Sequence, residues 1–376
     1  MCRRPHESGD VVRVVVKIGT SSVTSETGAI KESAIASLCA QVAGLRREGH
    51  EVLVVSSGAV AGGVDALGMK ERPSDTLTLQ ALAAVGQSRL MERYNTQFRD
   101  HGLIAAQVLL TPNDFIDRRQ YLHARETVDR LLSLGCIPVI NENDAIAADE
   151  IRFGDNDRIA ALLAHSVQAD LLLLLTDIDG LYTDDPTKNP DAQLVEVVAA
   201  DDPLLSVNAG ASGTARGSGG MASKLSAARI ASWSGVRTVI AEARKPDVLA
   251  LAVAGNRSVG TQFLPHDRQL SARKLWIAFA AQTAGAVLVD EGARHALVQR
   301  NTSLLHAGVT EVHGDFVAGD TVEIRNEDSG EVIARGMVSV DAVQAGAAAG
   351  LQSVDLPEGV PSELIHRDDL VVFLSK

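Results

Sequence analysis

Residues 140–161 read INENDAIAADEIRFGDNDRIAA. Just before them, the apolar run Cys136–Ile140 (CIPVI) follows Gly135 and predicts a short buried strand. Asn141, Glu142, Asn143 and Asp144 then arrive together, and Asp155, Asn156 and Asp157 follow after a short excursion. Ile159, Leu162 and Leu163 continue at helical spacing, so Asp155 to Asp157 stand where a helix N-cap sits. Taken alone, the stretch also reads as an acidic surface loop closing on an ordinary cap. In an open α/β sheet, however, ligands bind beyond the carboxyl ends of the strands, and this stretch gathers carboxylates and carboxamides at one such end.

Outward from this point, strands and helices alternate. Val11–Ile18 (VVRVVVKI) is rich in β-branched residues and runs into Gly19. Ile35, Leu38, Val42 and Leu45 recur at helical spacing until Gly49, and Glu51–Ser56 (EVLVVS) predicts a second strand. A long helical region from Thr76 to about Asp100 precedes a strand at Ile104–Leu110, and another helix ends at Gly135. Asp170–Leu175 (DLLLLL) is a fully buried strand. Residues 184–220, dense in proline and glycine, read as loop. A helix at Met221–Gly235, a strand at Arg237–Ala241 and a helix at Asp247–Ala254 follow. The pattern predicts an α/β fold, a mostly parallel open sheet sandwiched by helices, over residues 10–265. Residues 266–283 read as a linker, in which Leu275, Trp276 and Ile277 suggest packing. Residues 284–376, with short alternating segments such as Thr321–Ile324 and Val332–Val340 around turn residues Asn326–Gly330, read as a small β-rich domain.

Bulk properties narrow the class. The chain has 376 residues, 45% of them hydrophobic but only 3% aromatic, so its cores must be aliphatic. A net charge of −13 argues against a general nucleic-acid binder. Cys2, Cys39 and Cys136 are too few and scattered for a disulfide framework or a zinc site. Arg3 and Arg4 have no apolar h-region behind them, and no run approaches membrane-spanning length, so a cytoplasmic protein is expected. None of the ten histidines shows metal-ligand spacing such as H-E-x-x-H.

The remaining polar loops decide between surface and site. Lys17 ends the first strand before a glycine turn that could cradle a phosphate, although the Walker A spacing is absent. Ser56-Ser57-Gly58-Ala59 is a second strand-to-helix turn of this type. Gly217–Lys224 (GSGGMASK) feeds a helix, so its backbone N–H groups and helix dipole favour an anion, with Lys224 one turn in. Thr176 and Asp177 end a buried strand. Two lysines without an acidic metal cage suit a nucleoside triphosphate whose Mg²⁺ keeps several waters, so no protein metal ligand is assigned. Ser57, Asp144 and Asn156 could hold a small polar substrate by its amine and carboxylate.

The segments VVVKIGTSSV (14–23), VVSSGAVAGG (54–63), LAAVGQSRLM (82–91), PVINENDAIA (138–147), RFGDNDRIAA (152–161), LLLLTDIDGLYTDDP (172–186) and GSGGMASK (217–224) resemble, in order, those of the amino acid kinase family. INENDA and GDND point to its glutamate-phosphorylating branch. VDEGARHALVQRNTSLLHAGV (289–309) and IHRDDL (365–370) look like a PUA domain. The resemblance implies ATP-dependent phosphorylation of the γ-carboxylate of L-glutamate to L-glutamyl 5-phosphate, the first step of proline biosynthesis, with ATP and Mg²⁺. It implies that Lys17 and Lys224 contact the transferring phosphate, that Asp157 orients them, and that Ser57, Asp144 and Asn156 bind glutamate. Thr176, Asp177 and Ser218, Gly219, Gly220, Met221, Ala222, Ser223 and Lys224 would contact ATP. Feedback inhibition by proline and a homo-oligomer, a dimer or tetramer, are further family expectations. The alternatives are a sister kinase acting on aspartate, acetylglutamate, carbamate or UMP, and an RNA-binding protein acting through the PUA-like domain. Residues 285–376 hold six Lys/Arg against fifteen Asp/Glu, a balance of −9, the wrong sign for RNA.

Overall fold

The computed structural model describes residues 11–25, 27–115, 117–146, 156–186, 188–200, 202, 220–266, 270–281 and 283–373. The chain divides into two compact units, one ending at Gln269 and the other beginning at Leu270.

In the first unit the strands are β1 (Arg13–Ile18), β2 (Glu51–Val55), β3 (Ala105–Leu110), β4 (Ile137–Glu142), β5 (Leu171–Thr176), β6 (Val197–Val198), β7 (Arg237–Glu242) and β8 (Thr261–Phe263). They form one sheet in the order β3-β4-β2-β1-β5-β7-β8-β6. From β3 to β7 every neighbouring pair is parallel, which requires a crossover between paired strands. The helices are α1 (Thr20–Val23), α2 (Glu32–Arg47), α3 (Ala59–Ala66), α4 (Thr76–Asp100), α5 (Arg118–Ser133), α6 (Asn156–Ser166), α7 (Met221–Trp233) and α8 (Val248–Val253).

Central strands buried on both faces need continuous apolar runs rather than alternation, and all six residues of β5 are buried. Val14 and Val16 of β1 and Leu171, Leu173 and Leu175 of β5 pack with Ile35, Leu38, Val42 and Leu45 of α2 and with Leu90, Tyr94 and Phe98 of α4. Val15, Leu172 and Leu174 are equally buried and point the other way. Among the other helices, α6 packs on β1 and β5, and α7 packs on α6 and β7.

Because β1, β2, β4, β5 and β7 are parallel, their carboxyl ends share one edge. The chain leaves β1 toward β2 on one side, while β5 pairs on the other. That switch point opens a crevice beyond Lys17, the general place for a ligand in an open α/β sheet.

Three details differ from the reading of the sequence. Strand β4 runs on through Asn141 and Glu142, both buried, instead of stopping at Ile140. The proline- and glycine-rich region contributes β6, and β8 pairs antiparallel to β7 where the α/β pattern ends. Residues 272–275 form α9 (Ala272–Leu275), which passes into a π turn at Trp276–Ala280. This segment packs within the second unit: Ile277 and Ala278 lie against Val371, and Arg273 pairs with Asp369.

The second unit has a five-stranded sheet in the order β11 (Val309–Gly314), β9 (Thr283–Val289), β12 (Thr321–Asn326), β13 (Val332–Met337) and β15 (Leu370–Val372), beside a two-stranded ribbon of β10 (Leu304–Leu305) and β14 (Glu363–Ile365). Two helices, α10 (Glu291–Arg300) and α11 (Ala342–Ala348), complete it, each capped by an aspartate. Among the described residues, no helix is long and apolar enough to cross a membrane.

Candidate active site

Three strand ends and two helix starts meet at the crevice. Lys17 is the penultimate residue of β1, Asp157 the second residue of α6 and Lys224 the fourth of α7. All three are 5% exposed or less. Lys17 Nζ lies 2.6 Å from Asp157 Oδ1, and Lys224 Nζ donates to Asp157 Oδ2 at 3.2 Å. Ser223 Oγ donates to the same Oδ2 at 2.7 Å. Burial works against ionising Asp157, but the charges of Lys17 and Lys224 override it and hold the carboxyl well below the usual carboxylate range. Two cations thus share one anion in a water-poor place. Two lysines against one carboxylate make the cluster suited to an incoming polyanion.

Beside this triad, α7 follows its N-cap Gly220, which has no side chain to cap the first N–H groups, and the positive end of its dipole lies one turn from Lys224. Met221, Ala222 and Ser223 form its half-buried first turn. Thr176 ends β5 next to β1, and its hydroxyl donates to Asp177 Oδ1 at 3.1 Å. Ser218 and Gly219 lie outside the described residues, as do residues 147–155, Asp155 included.

A second polar group lies on the β2–β4 side. Gly58, at φ +105°, lets the chain turn from Ser57 into α3 in a conformation that L residues rarely adopt. Ser57 Oγ accepts from Asn156 Nδ2 at 3.2 Å. The Glu142 N–H is shared between Asn156 Oδ1 (3.1 Å) and Asn141 Oδ1 (3.0 Å), and Asn141 Nδ2 donates to Gln87 Oε1 of α4 at 2.8 Å. Ser56, next to Ser57, is held by a 2.9 Å bond to the buried Tyr94 hydroxyl. Asp144 closes this side: it is 6% exposed, and its Oδ1 has no hydrogen-bond partner among the described residues. Burial pushes its carboxyl up to about 6, against the opposing charge of Arg72. With Gln87, Ser88, Gln107, Glu142 and Asn143 it lines a cavity of about 280 Å³.

Lys17, Lys224 and Asp157 are therefore brought together, as are Ser57 and Asn156, while Asp144 sits on the adjoining cavity. Asn141, the first of the polar residues noted after the strand, and Gln87, not singled out from the sequence, join this network. Helical phase carried a signal for Gln87: it falls on the buried stripe of Leu79, Leu82, Ala83, Gly86, Leu90 and Tyr94, where a polar side chain needs a partner.

The sequence pattern of the amino acid kinase family matches residues 12–242, more than half of the chain. The chain belongs to the amino acid kinase family. A PUA domain pattern matches residues 285–360. This family member is similar to the glutamate 5-kinase of Trichlorobacter lovleyi, with 45% identity over 96% of this chain and 97% of that one. It is 46% identical to the glutamate 5-kinase of Pseudomonas entomophila over the same shares, and 42% identical to that of a Thermoanaerobacter species over 96% and 98%. Within the amino acid kinase family, the chain thus falls with the glutamate 5-kinases.

Proposed function

We propose that the crevice binds ATP with its Mg²⁺ and L-glutamate side by side and transfers the γ-phosphoryl group to the substrate's γ-carboxylate. The product is L-glutamyl 5-phosphate, and the reaction is the first step of proline biosynthesis. Lys17 and Lys224 meet the transferring phosphoryl group, and Asp157 holds their two ammonium groups toward one point. Thr176, Asp177 and the segment Ser218–Lys224 contact ATP. Ser57 and Asn156 hold glutamate, and Asp144 takes its α-ammonium. The observation that carries this reading is the pair of buried lysines on one buried carboxylate.

The chemistry asks little else of the protein. A glutamate side chain has a pKa of about 4.3, so the attacking oxygen is already ionised at neutral pH and needs no general base. What remains is in-line positioning and neutralisation of charge on the phosphoryl oxygens. Mg²⁺ enters with ATP, as part of the substrate, and keeps phosphate and water ligands.

Hydroxylamine tests the reaction directly. An acyl phosphate is trapped as a hydroxamate, whereas a phosphate ester is not. With ATP, Mg²⁺ and a panel of glutamate, aspartate, acetylglutamate, carbamate and UMP, γ-glutamyl hydroxamate is expected with glutamate. Turnover of another acceptor in its place would refute the assignment. The same resemblance supports a cytoplasmic homo-oligomer, dimer or tetramer, inhibited by proline, with RNA outside its partners. Light scattering and assay in the presence of proline test these extensions.

A further inference from the structure

The cavity of about 280 Å³ beside Asp144 contains a second unused polar group. The Glu142 N–H is a backbone donor and admits no ambiguity, so the atom of Asn141 facing it at 3.0 Å must be the carbonyl oxygen. Asn141 then turns its NH₂ toward Gln87 at 2.8 Å, and Gln87 must answer with Oε1. That bond leaves the Gln87 NH₂ with no hydrogen-bond partner among the described residues, on a side chain that lines the cavity and is 9% exposed. Because the side chain lines the cavity, a ligand bound there can accept from this NH₂. Asp144 Oδ1 is the matching orphan acceptor in the same cavity. One donor and one anionic acceptor facing one space, with Ala59, Ala83, Ala84 and Ala145 as the small walls, complement the head group of a zwitterionic α-amino acid.

Helix packing keeps Gln87 there. A Cβ on its neighbour Gly86 would lie 1.8 Å from the Ala59 carbonyl oxygen, and one on Gly63 would lie 2.0 Å from that of Leu82. Both glycines let α3 and α4 touch backbone to backbone. The start of α3, just after Ser57, and Gln87 on α4 are thereby locked to each other.

We infer that Gln87 is a specificity-determining substrate contact, donating from Nε2 to the α-carboxylate of the amino acid whose α-ammonium Asp144 takes. The inference rests on the glutamate reading proposed above and names the group that reads the other half of the zwitterion.

The test compares L-glutamate with L-isoglutamine, its α-amide, which keeps the γ-carboxylate but replaces the α-carboxylate by a neutral group that can also donate. Gln87→Glu retains an acceptor for Asn141 but repels an α-carboxylate and accepts from an α-amide. The ratio of kcat/KM for glutamate to that for isoglutamine is expected to fall roughly tenfold to a hundredfold, the scale of one charged hydrogen bond, with KM for ATP unchanged. If Gln87→Glu does not fold, Gln87→Met, neutral and of similar volume, is expected to raise KM for glutamate and lower the same ratio. Equal losses for both substrates, with an unchanged ratio in the soluble variant, would reduce Gln87 to a structural prop for Asn141 and overturn the inference alone. Absence of γ-glutamyl hydroxamate from the unaltered chain would overturn the parent reading and this inference with it.

Discussion

The two sides of the crevice are built on opposite principles. On the β1–α6–α7 side, Lys17, Lys224 and Ser223 gather on Asp157 in a charged knot. On the β4–α4 side, Asp144 Oδ1 is buried with no hydrogen-bond partner among the described residues, and the Gln87 amide lines the same cavity. Buried polar groups are mostly hydrogen-bonded, so one left unmatched beside a cavity invites a ligand. The knot therefore reads as preorganised machinery, ready before any ligand arrives. The cavity reads as a mould whose missing half is the substrate. The second unit sharpens the point: it has a larger groove, about 750 Å³ beside α10, yet no polar side chain lining it is buried. Size alone does not mark the chemistry.

The largest effect should come from untying the knot. Asp157→Asn leaves two buried ammonium groups without their anion, and breaking a buried ion pair on one side costs about 3–5 kcal/mol. A markedly lower midpoint in denaturant unfolding is expected, together with loss of activity. A stability equal to that of the unaltered chain would mean that solvent reaches the lysines.

Lys224→Ala keeps the anion and removes one cation. If the lysine meets charge that develops in transfer, kcat should fall by roughly a hundredfold or more while KM for glutamate changes little. A folded variant with unchanged kcat removes Lys224 from the machinery.

On the cavity side the sign of the effect changes from rate to binding. Asp144→Ala loses a charged hydrogen bond worth about 1.5–3 kcal/mol, so KM for glutamate should rise roughly tenfold to a hundredfold with KM for ATP unaltered. A rise in both values together would make Asp144 structural.

A smaller effect follows from pH. With the carboxyl of Asp144 raised to about 6, it is protonated below that pH and can no longer hold an ammonium group. KM for glutamate should therefore rise as pH falls through 6, by about tenfold at pH 5. The substrate's own γ-carboxylate, near pKa 4.3, stays ionised over most of that range. Asp157, held low by its lysines, does not titrate there. Asp144→Asn should abolish the slope.

Much of the knot was legible in the sequence, because each member sits at a local landmark: a lysine at a strand end, an aspartate in the first turn of a helix, a lysine one turn past a glycine loop. The polar end of β4 was not, because what buries Asn141 and Glu142 lies elsewhere in the chain. Asn141 finds Gln87 at a separation of 54 residues, and Glu142 finds Asn156 at 14. A one-sequence reading sees polar residues there and calls them loop. Strands β6 and β8, two and three residues long, are too short to show a period. The apolar run at Leu275–Ile277 signals packing but not its partner: expected on the first unit, it packs within the second, against Val371 near the far end of the chain.

The division between machinery and mould is tested most directly by combining Asp144→Ala with Lys224→Ala and measuring kcat/KM for glutamate in all four proteins. Asp144 and Lys224 share no hydrogen-bond partner among the described residues. If one acts in binding and the other in transfer, their losses multiply, to within roughly twofold, as they do for independent sites. A double variant no worse than the poorer single variant would contradict the division and show that the crevice works as one indivisible unit.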